Sequence, residues 1–171
     1  QSLADDLEHR TEGHLDCGAG GNRPRIPVNS AAGRDDLALT VLLTRTRPGW
    51  GVWFEAGETT LLEAWDASAR SRNHYFLGSA ASWIQQRVGG LRATAPGWST
   101  FEIAPVDDPR VRSGRIRHRT PLGEAAVRWQ RGAGGWRFEV EVPQGTEAAI
   151  RVPGHLRNLT SGAHTLTILS G

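Results

Sequence analysis

The hydrophobic period of this chain changes once, and that change limits the fold more than any other feature. Up to about residue 92, apolar side chains recur at three- and four-residue steps; beyond Ala95-Pro96-Gly97 they alternate with polar ones. The first pattern suits helices buried along one stripe, the second strands buried on one face. A chain of 171 residues split in this way is one mixed domain or two small ones, helical first and β afterwards.

In the helical part, residues 2–9 read as the end of a helix, with Leu3 and Leu7 four apart and acids between. Residues 10–33 are dense in glycine and proline and read as a long loop, with room for one helical turn between Ile26 and Ala31. His14, Asp16 and Cys17 in this loop have metal-ligand chemistry. No second cluster of matching spacing follows, so they are read as a tight, partly buried loop and no metal is expected. Residues 34–46 read as a helix with Asp35 and Asp36 in its first turn, where carboxylates suit the positive end of the dipole. Leu37, Leu39, Val41, Leu42 and Leu43 make its apolar stripe wide enough to require burial on two sides. Residues 73–88 read as a second helix, with Phe76, Ala80, Trp83, Ile84 and Val88 along one face and Gly89-Gly90 ending it.

Beyond Pro96, six segments read as strands: STFEIAP, RIRHRT, GEAAVRWQ, WRFEVEVP, TEAAIRVP and HTLTIL. The clearest runs from Trp136 to Val142, where Trp136, Phe138, Val140 and Val142 face one way and Arg137, Glu139 and Glu141 the other. Short strands joined by Gly-rich turns predict an antiparallel β-sandwich, with Trp129 and Trp136 in its core. The fold class is therefore α+β. The helical part is too short to close a deep cleft by itself, and its first helix lacks a beginning. It reads as the end of a larger helical domain. A chain that opens on Gln1 and contains no methionine is expected to have been processed or cut from something longer.

The formal charge is +2, and the pI of 9.4 comes from arginines alone, scattered singly with no basic run. Such a surface gives nucleic acid little to hold. Cys17 is the sole cysteine, so no internal disulfide forms. No apolar run is long enough to cross a membrane, and no signal peptide opens these residues, which leaves the compartment open.

The chemistry concentrates between Trp50 and Gly78. Glu55, Glu58, Glu63 and Asp66 lie among Trp50, Trp53 and Trp65, and Asn73-His74 follows a polar loop. Carboxylates among aromatic faces are what a sugar-cleaving pocket needs: the acids move protons, and the rings stack on pyranose faces. From the residues alone, Glu63 reads first as a helix-end carboxylate paired with an arginine such as Arg70. His74 can be a helix-start histidine bonded to backbone.

The segments GHLDCG, RPGWGVWFEAGETTLLEAWD, SRNHYFLGSAASWIQQRVGGLRATAPGWSTFEIAP, TPLGEAAVRW and VPQGTEAAIRVP…SGAHT resemble, in order, the motifs of bacterial α-L-rhamnosidases of glycoside hydrolase family 78. The resemblance spans nearly the whole chain. It implies the C-terminal third of an (α/α)6 barrel over residues 1–94 and an antiparallel β-sandwich over 95–171. It also implies hydrolysis of terminal α-L-rhamnosides by inversion, without a cofactor and with the remainder of the barrel as a partner. The family's base motif, G-A-T-T-[LI]-W-E-R-W, aligns with GETTLLEAW and makes Glu63 the candidate general base. The S-x-N-H-x-x-x-G-S motif aligns with SRNHYFLGS and makes His74 the candidate ligand of a sugar hydroxyl. Trp50 is the first choice for stacking on sugar, and Glu55 also matches the family pattern. The general acid belongs to an Asp/Glu/Arg-rich motif with no counterpart in these residues. Leu62 replaces the usual tryptophan, Ala64 the usual arginine and Glu58 a usually small residue, and the loop from Glu63 to His74 is shorter than is common. A non-catalytic carbohydrate-binding module and a purely structural role, the sandwich supporting the end of the barrel, are the alternatives.

Overall fold

The computed structural model describes residue 14, residue 26 and residues 28–65, 69–78 and 80–169. The expected helix end at residues 2–9, Asp16, Cys17 and Asp66 lie outside them. The chain divides into two compact units, Gln1–Trp83 and Ile84–Gly171.

In the first unit, the described residues between 26 and 31 are helical, as the sequence allows. Helix α1 spans Asp35–Leu43 and buries Leu37, Ala38, Leu39, Val41 and Leu42 of the expected wide stripe, whereas Leu43, also read into it, is exposed at the end of the helix. The helix stops three residues short of the expected end. Thr44 turns to an extended conformation, and its carbonyl accepts the Gly51 N–H at 2.9 Å. A Cβ on Gly51 would lie 2.7 Å from that oxygen, so glycine is what lets the chain fold back on itself here. Helix α2, Gly51–Glu55, follows and carries Trp53 inward. The predicted helix over 73–88 appears as α3 (Tyr75–Gly78), α4 (Ala80–Trp83) and a π-helical turn, Ile84–Val88.

The second unit is a sandwich of two four-stranded sheets. One has the order β1-β2-β6-β7 and the other β3-β4-β5-β8. The strands are β1 Leu91–Ala93, β2 Thr100–Ile103, β3 Ser113–Thr120, β4 Gly123–Gly132, β5 Gly135–Val142, β6 Glu147–Val152, β7 His155–Leu159 and β8 Gly162–Ile168. β1 and β7 are additions to the six expected strands. The antiparallel expectation holds for every pair except β2–β6, which run parallel with Phe101 opposite Ala148 and Ile103 opposite Ile150.

The alternation read in β5 holds: Trp136, Phe138, Val140 and Val142 are buried. They join Ala125, Val127 and Trp129 of β4, with Phe101, Ile103 and Ile150 from the other sheet, in one core. Outside this core, Glu102 lies between Arg92 of β1 and Arg151 of β6, whose Nε donates to Glu102 Oε1 at 2.7 Å. Burial pushes the Glu102 carboxyl up most strongly, but the two guanidiniums together bring it below its ordinary value.

Trp129 fixes the start of the sandwich. Its Nε1 donates to the Val88 carbonyl at 3.0 Å, at the end of the π-helical turn. Gly114 of β3 passes directly over this bond, and a Cβ there would lie 2.4 Å from both Trp129 Nε1 and Val88 O. Neither atom can withdraw without losing the bond. Gly114→Ala is therefore expected to destabilise the sandwich by about 1–3 kcal/mol through overpacking, read as a lowered urea midpoint with unchanged slope.

Candidate active site

The sequence places Glu63 in a loop between two helical segments, and backbone hydrogen bonds close that loop. The Glu63 N–H donates to Ser71 O at 3.1 Å and the His74 N–H to Leu61 O at 2.9 Å. From the α2 side, the Trp53 indole N–H donates to Ala64 O at 3.2 Å. Glu63 is thus gripped through its own amide and through the next residue's carbonyl. Its carboxylate is held as well: Arg70 N and Ser71 N both donate to Oε1, at 2.7 and 2.9 Å.

These amides decide the charge of the group. The Ser71 N–H, then the Arg70 N–H, hold the Glu63 carboxyl below its ordinary 4.5 against a desolvation effect that raises it. The electrostatic effects of His74 and Arg70 add to the lowering. Arg70 therefore acts chiefly through its backbone N–H and not as the side-chain partner the alternative reading requires. Both amide bonds fall on Oε1. The carboxylate is ionised at neutral pH, fixed in orientation and half-buried. It can accept a proton from water. His74, eleven residues on, opens α3 and draws the loop shut through its backbone; its ring lies 6.0 Å from that of Tyr75.

The other expected site residues fall elsewhere. Trp50 is 1% exposed and donates its indole N–H to Leu77 O at 2.9 Å. Trp65 packs edge-on against it at 5.6 Å and stacks on Trp53 at 4.7 Å. As placed, Trp50 offers no open face to a sugar; Trp65 is the member of this cluster that keeps some surface. Glu55 lies on an open surface in an ion pair with Arg45, 2.6 Å long. Glu58 accepts from Arg72 Nη1 on both oxygens at 3.0 Å. The roles of the Arg70 and Ser71 amides carry no mark in the sequence, because backbone donors have no residue signature. His14 reaches Thr46 Oγ1 at 2.6 Å. Among the described residues no group of three or more His, Cys, Asp or Glu could hold a metal ion.

Residues 1–88 match the family described as bacterial α-L-rhamnosidase 6 hairpin glycosidase domain, and residues 90–167 match the bacterial α-L-rhamnosidase C-terminal domain. An α-L-rhamnosidase of Streptomyces avermitilis is 31% identical over an alignment of 150 residues that covers 82% of this chain and 15% of that protein. An α-L-rhamnosidase of Alteromonas sp. is 28% identical over an alignment of 152 residues that covers 83% of this chain and 16% of that protein. The solved Streptomyces avermitilis α-L-rhamnosidase in complex with L-rhamnose superposes with a TM-score of 0.88 at 26% identity, over 97% of this chain and 19% of that one. The chain thus spans a small part of the length of the relatives it matches. The two profiles meet near residue 89 and together cover almost all of it, in the order that the change of hydrophobic period sets. The chain belongs to the bacterial α-L-rhamnosidases of glycoside hydrolase family 78.

Proposed function

We propose that this chain carries the base-bearing part of an inverting α-L-rhamnosidase, with Glu63 as the general base and His74 as a ligand of a sugar hydroxyl. The observation behind this reading is the grip on Glu63. Two amides bond one oxygen and keep the group ionised; in this reading the other oxygen activates water. An inverting hydrolase needs such a carboxylate roughly 6.5–9.5 Å from a general acid, with the water held between the base and the sugar. The acid belongs to barrel residues outside the portion of the relatives matched here. Trp65 takes the sugar-facing place expected of Trp50, since it is the ring near Glu63 that is not fully packed away. The substrate is a terminal α-L-rhamnoside, and the chemistry calls for no cofactor.

For the sandwich a structural role fits better than carbohydrate binding. A sugar platform needs exposed aromatic rings. Among the described residues of the strands and their turns, the exposed large apolar side chains are Leu122, Leu156 and Leu169, while Trp129, Trp136 and Phe138 are core.

Base without acid leaves the leaving oxygen unprotonated. The 171 residues alone are expected to show no turnover of an aryl α-L-rhamnoside above the uncatalysed rate. Robust hydrolysis by these residues would overturn the division of labour proposed here.

A further inference from the structure

We propose that the Glu58–Arg72 ion pair is a positioning device for Glu63, holding in place the segment 70–72 whose backbone N–H groups grip its carboxylate. The inference rests on reading Glu63 as the base.

Glu58 is anchored independently of that segment. Its N–H donates to Trp53 O at 2.8 Å, at the end of α2. Its side chain is only 25% exposed, and both oxygens accept from Arg72 Nη1 at 3.0 Å. Arg72 directly follows Arg70 and Ser71, the two residues that donate to Glu63 Oε1, and lies two before His74. The pair therefore ties the amide donors of the base to α2. On the other side of the loop, the Trp53 indole holds Ala64, the neighbour of Glu63, to the same helix. One short helix thus references both the base and its donors. Arg72 lies fourteen positions after Glu58, on the far side of the loop that carries Glu63.

The Arg72 end of the pair is open to solvent, 58% exposed, so the contribution of the pair to overall stability is small. Its effect is on where the donors sit. In Glu58→Ala that separates positioning from simple electrostatics, because there the two predict opposite signs. Deleting the Glu58 charge can, by Coulomb's law alone, only lower the Glu63 pKa or leave it unchanged, since a negative charge is removed. Loosening the Ser71 and Arg70 amides would raise it toward the ordinary value. The other charges acting on Glu63, those of His74 and Arg70, are unchanged by the substitution.

The test is a carboxyl-carbon NMR titration of Glu63 in this chain, in the native sequence and in Glu58→Ala, Arg72→Ala and the charge-swapped Glu58→Arg/Arg72→Glu. Both single variants are expected to raise the Glu63 pKa with dispersed spectra preserved, and the swap is expected to bring it back down. A second readout uses a full-length enzyme carrying these residues, where Glu58→Ala is expected to lower kcat three- to tenfold with KM within twofold. A Glu63 pKa that falls or stays unchanged in folded Glu58→Ala overturns the inference. Should the singles lose dispersion, the swapped variant decides: a folded swap whose Glu63 pKa stays high overturns it as well. The titration does not depend on turnover. An unchanged kcat in Glu63→Gln would instead strike the reading of Glu63 as base.

Discussion

In a full-length enzyme carrying these residues, Glu63→Gln is expected to lower kcat by about 10²–10⁴-fold, the range that a general base supplies. The substitution keeps the shape of the side chain and its ability to accept from the Arg70 and Ser71 amides through the amide oxygen. It removes only the capacity to take a proton. KM should therefore change little, and the far-ultraviolet spectrum and thermal midpoint should be close to those of the parent. A tenfold or smaller loss in kcat would return Glu63 to a structural role. The pH profile supplies a second reading of the same residue. A base must be ionised to act, so kcat/KM falls as pH drops through its pKa. The amides of Ser71 and Arg70 hold that pKa below the ordinary 4.5, which puts the acid limb of the profile below 4.5. An acid limb near 6 would mean that another group governs it.

Trp129→Ala is expected to cost the sandwich about 3–5 kcal/mol, the usual penalty for removing a large buried aromatic. Trp129 is completely buried, lies 5.3 Å from Trp136 and ties the Val88 carbonyl to β4. Its removal opens a cavity between the sheets and strands that carbonyl among apolar groups. Single domains are stable by about 5–15 kcal/mol, so the loss approaches the lower end of the whole. Urea unfolding followed by tryptophan fluorescence would read it as a large drop in midpoint. Trp129→Phe should recover much of the packing but not the hydrogen bond, and should fall between the two. A midpoint shift worth under 1 kcal/mol for Trp129→Ala would place the core elsewhere.

Much of this architecture can be read directly from residue spacing. The period of two in β5 sets which side chains are core because nothing interrupts it: Trp136, Phe138, Val140 and Val142 alternate with charges over the full strand. β1 and β7 are harder to see. β1 has three residues of which only Leu91 is buried, and β7 buries only Leu159, so neither shows an alternation. The parallel pairing of β2 with β6 is invisible for another reason. A strand buried on one face has the same period whichever way its neighbour runs. At the site, the motif containing Glu63 is legible, but what holds its carboxylate is backbone. Trp50 and Trp65 look alike as residues in a mixed segment, and only the packing of Trp50 beneath Trp65 distinguishes them. The contact of Glu58 with Arg72 crosses a loop and follows no helical or strand spacing.

The parallel seam between β2 and β6 also bears on the order in which the sandwich is assembled. β3, β4 and β5 are consecutive antiparallel partners joined by short turns, so each pairing closes only a small loop. The seam sets Thr100 against Glu147 and can close only after all three of those strands lie between them in the chain. Loop-closure entropy grows with the span closed, and non-local contacts slow folding. The β3-β4-β5 meander is thus the part expected to form early, with β2 and β6 meeting late against its already apolar face. Through Gly114 and Trp129, that early meander also holds the contacts on which the Val88 carbonyl comes to rest.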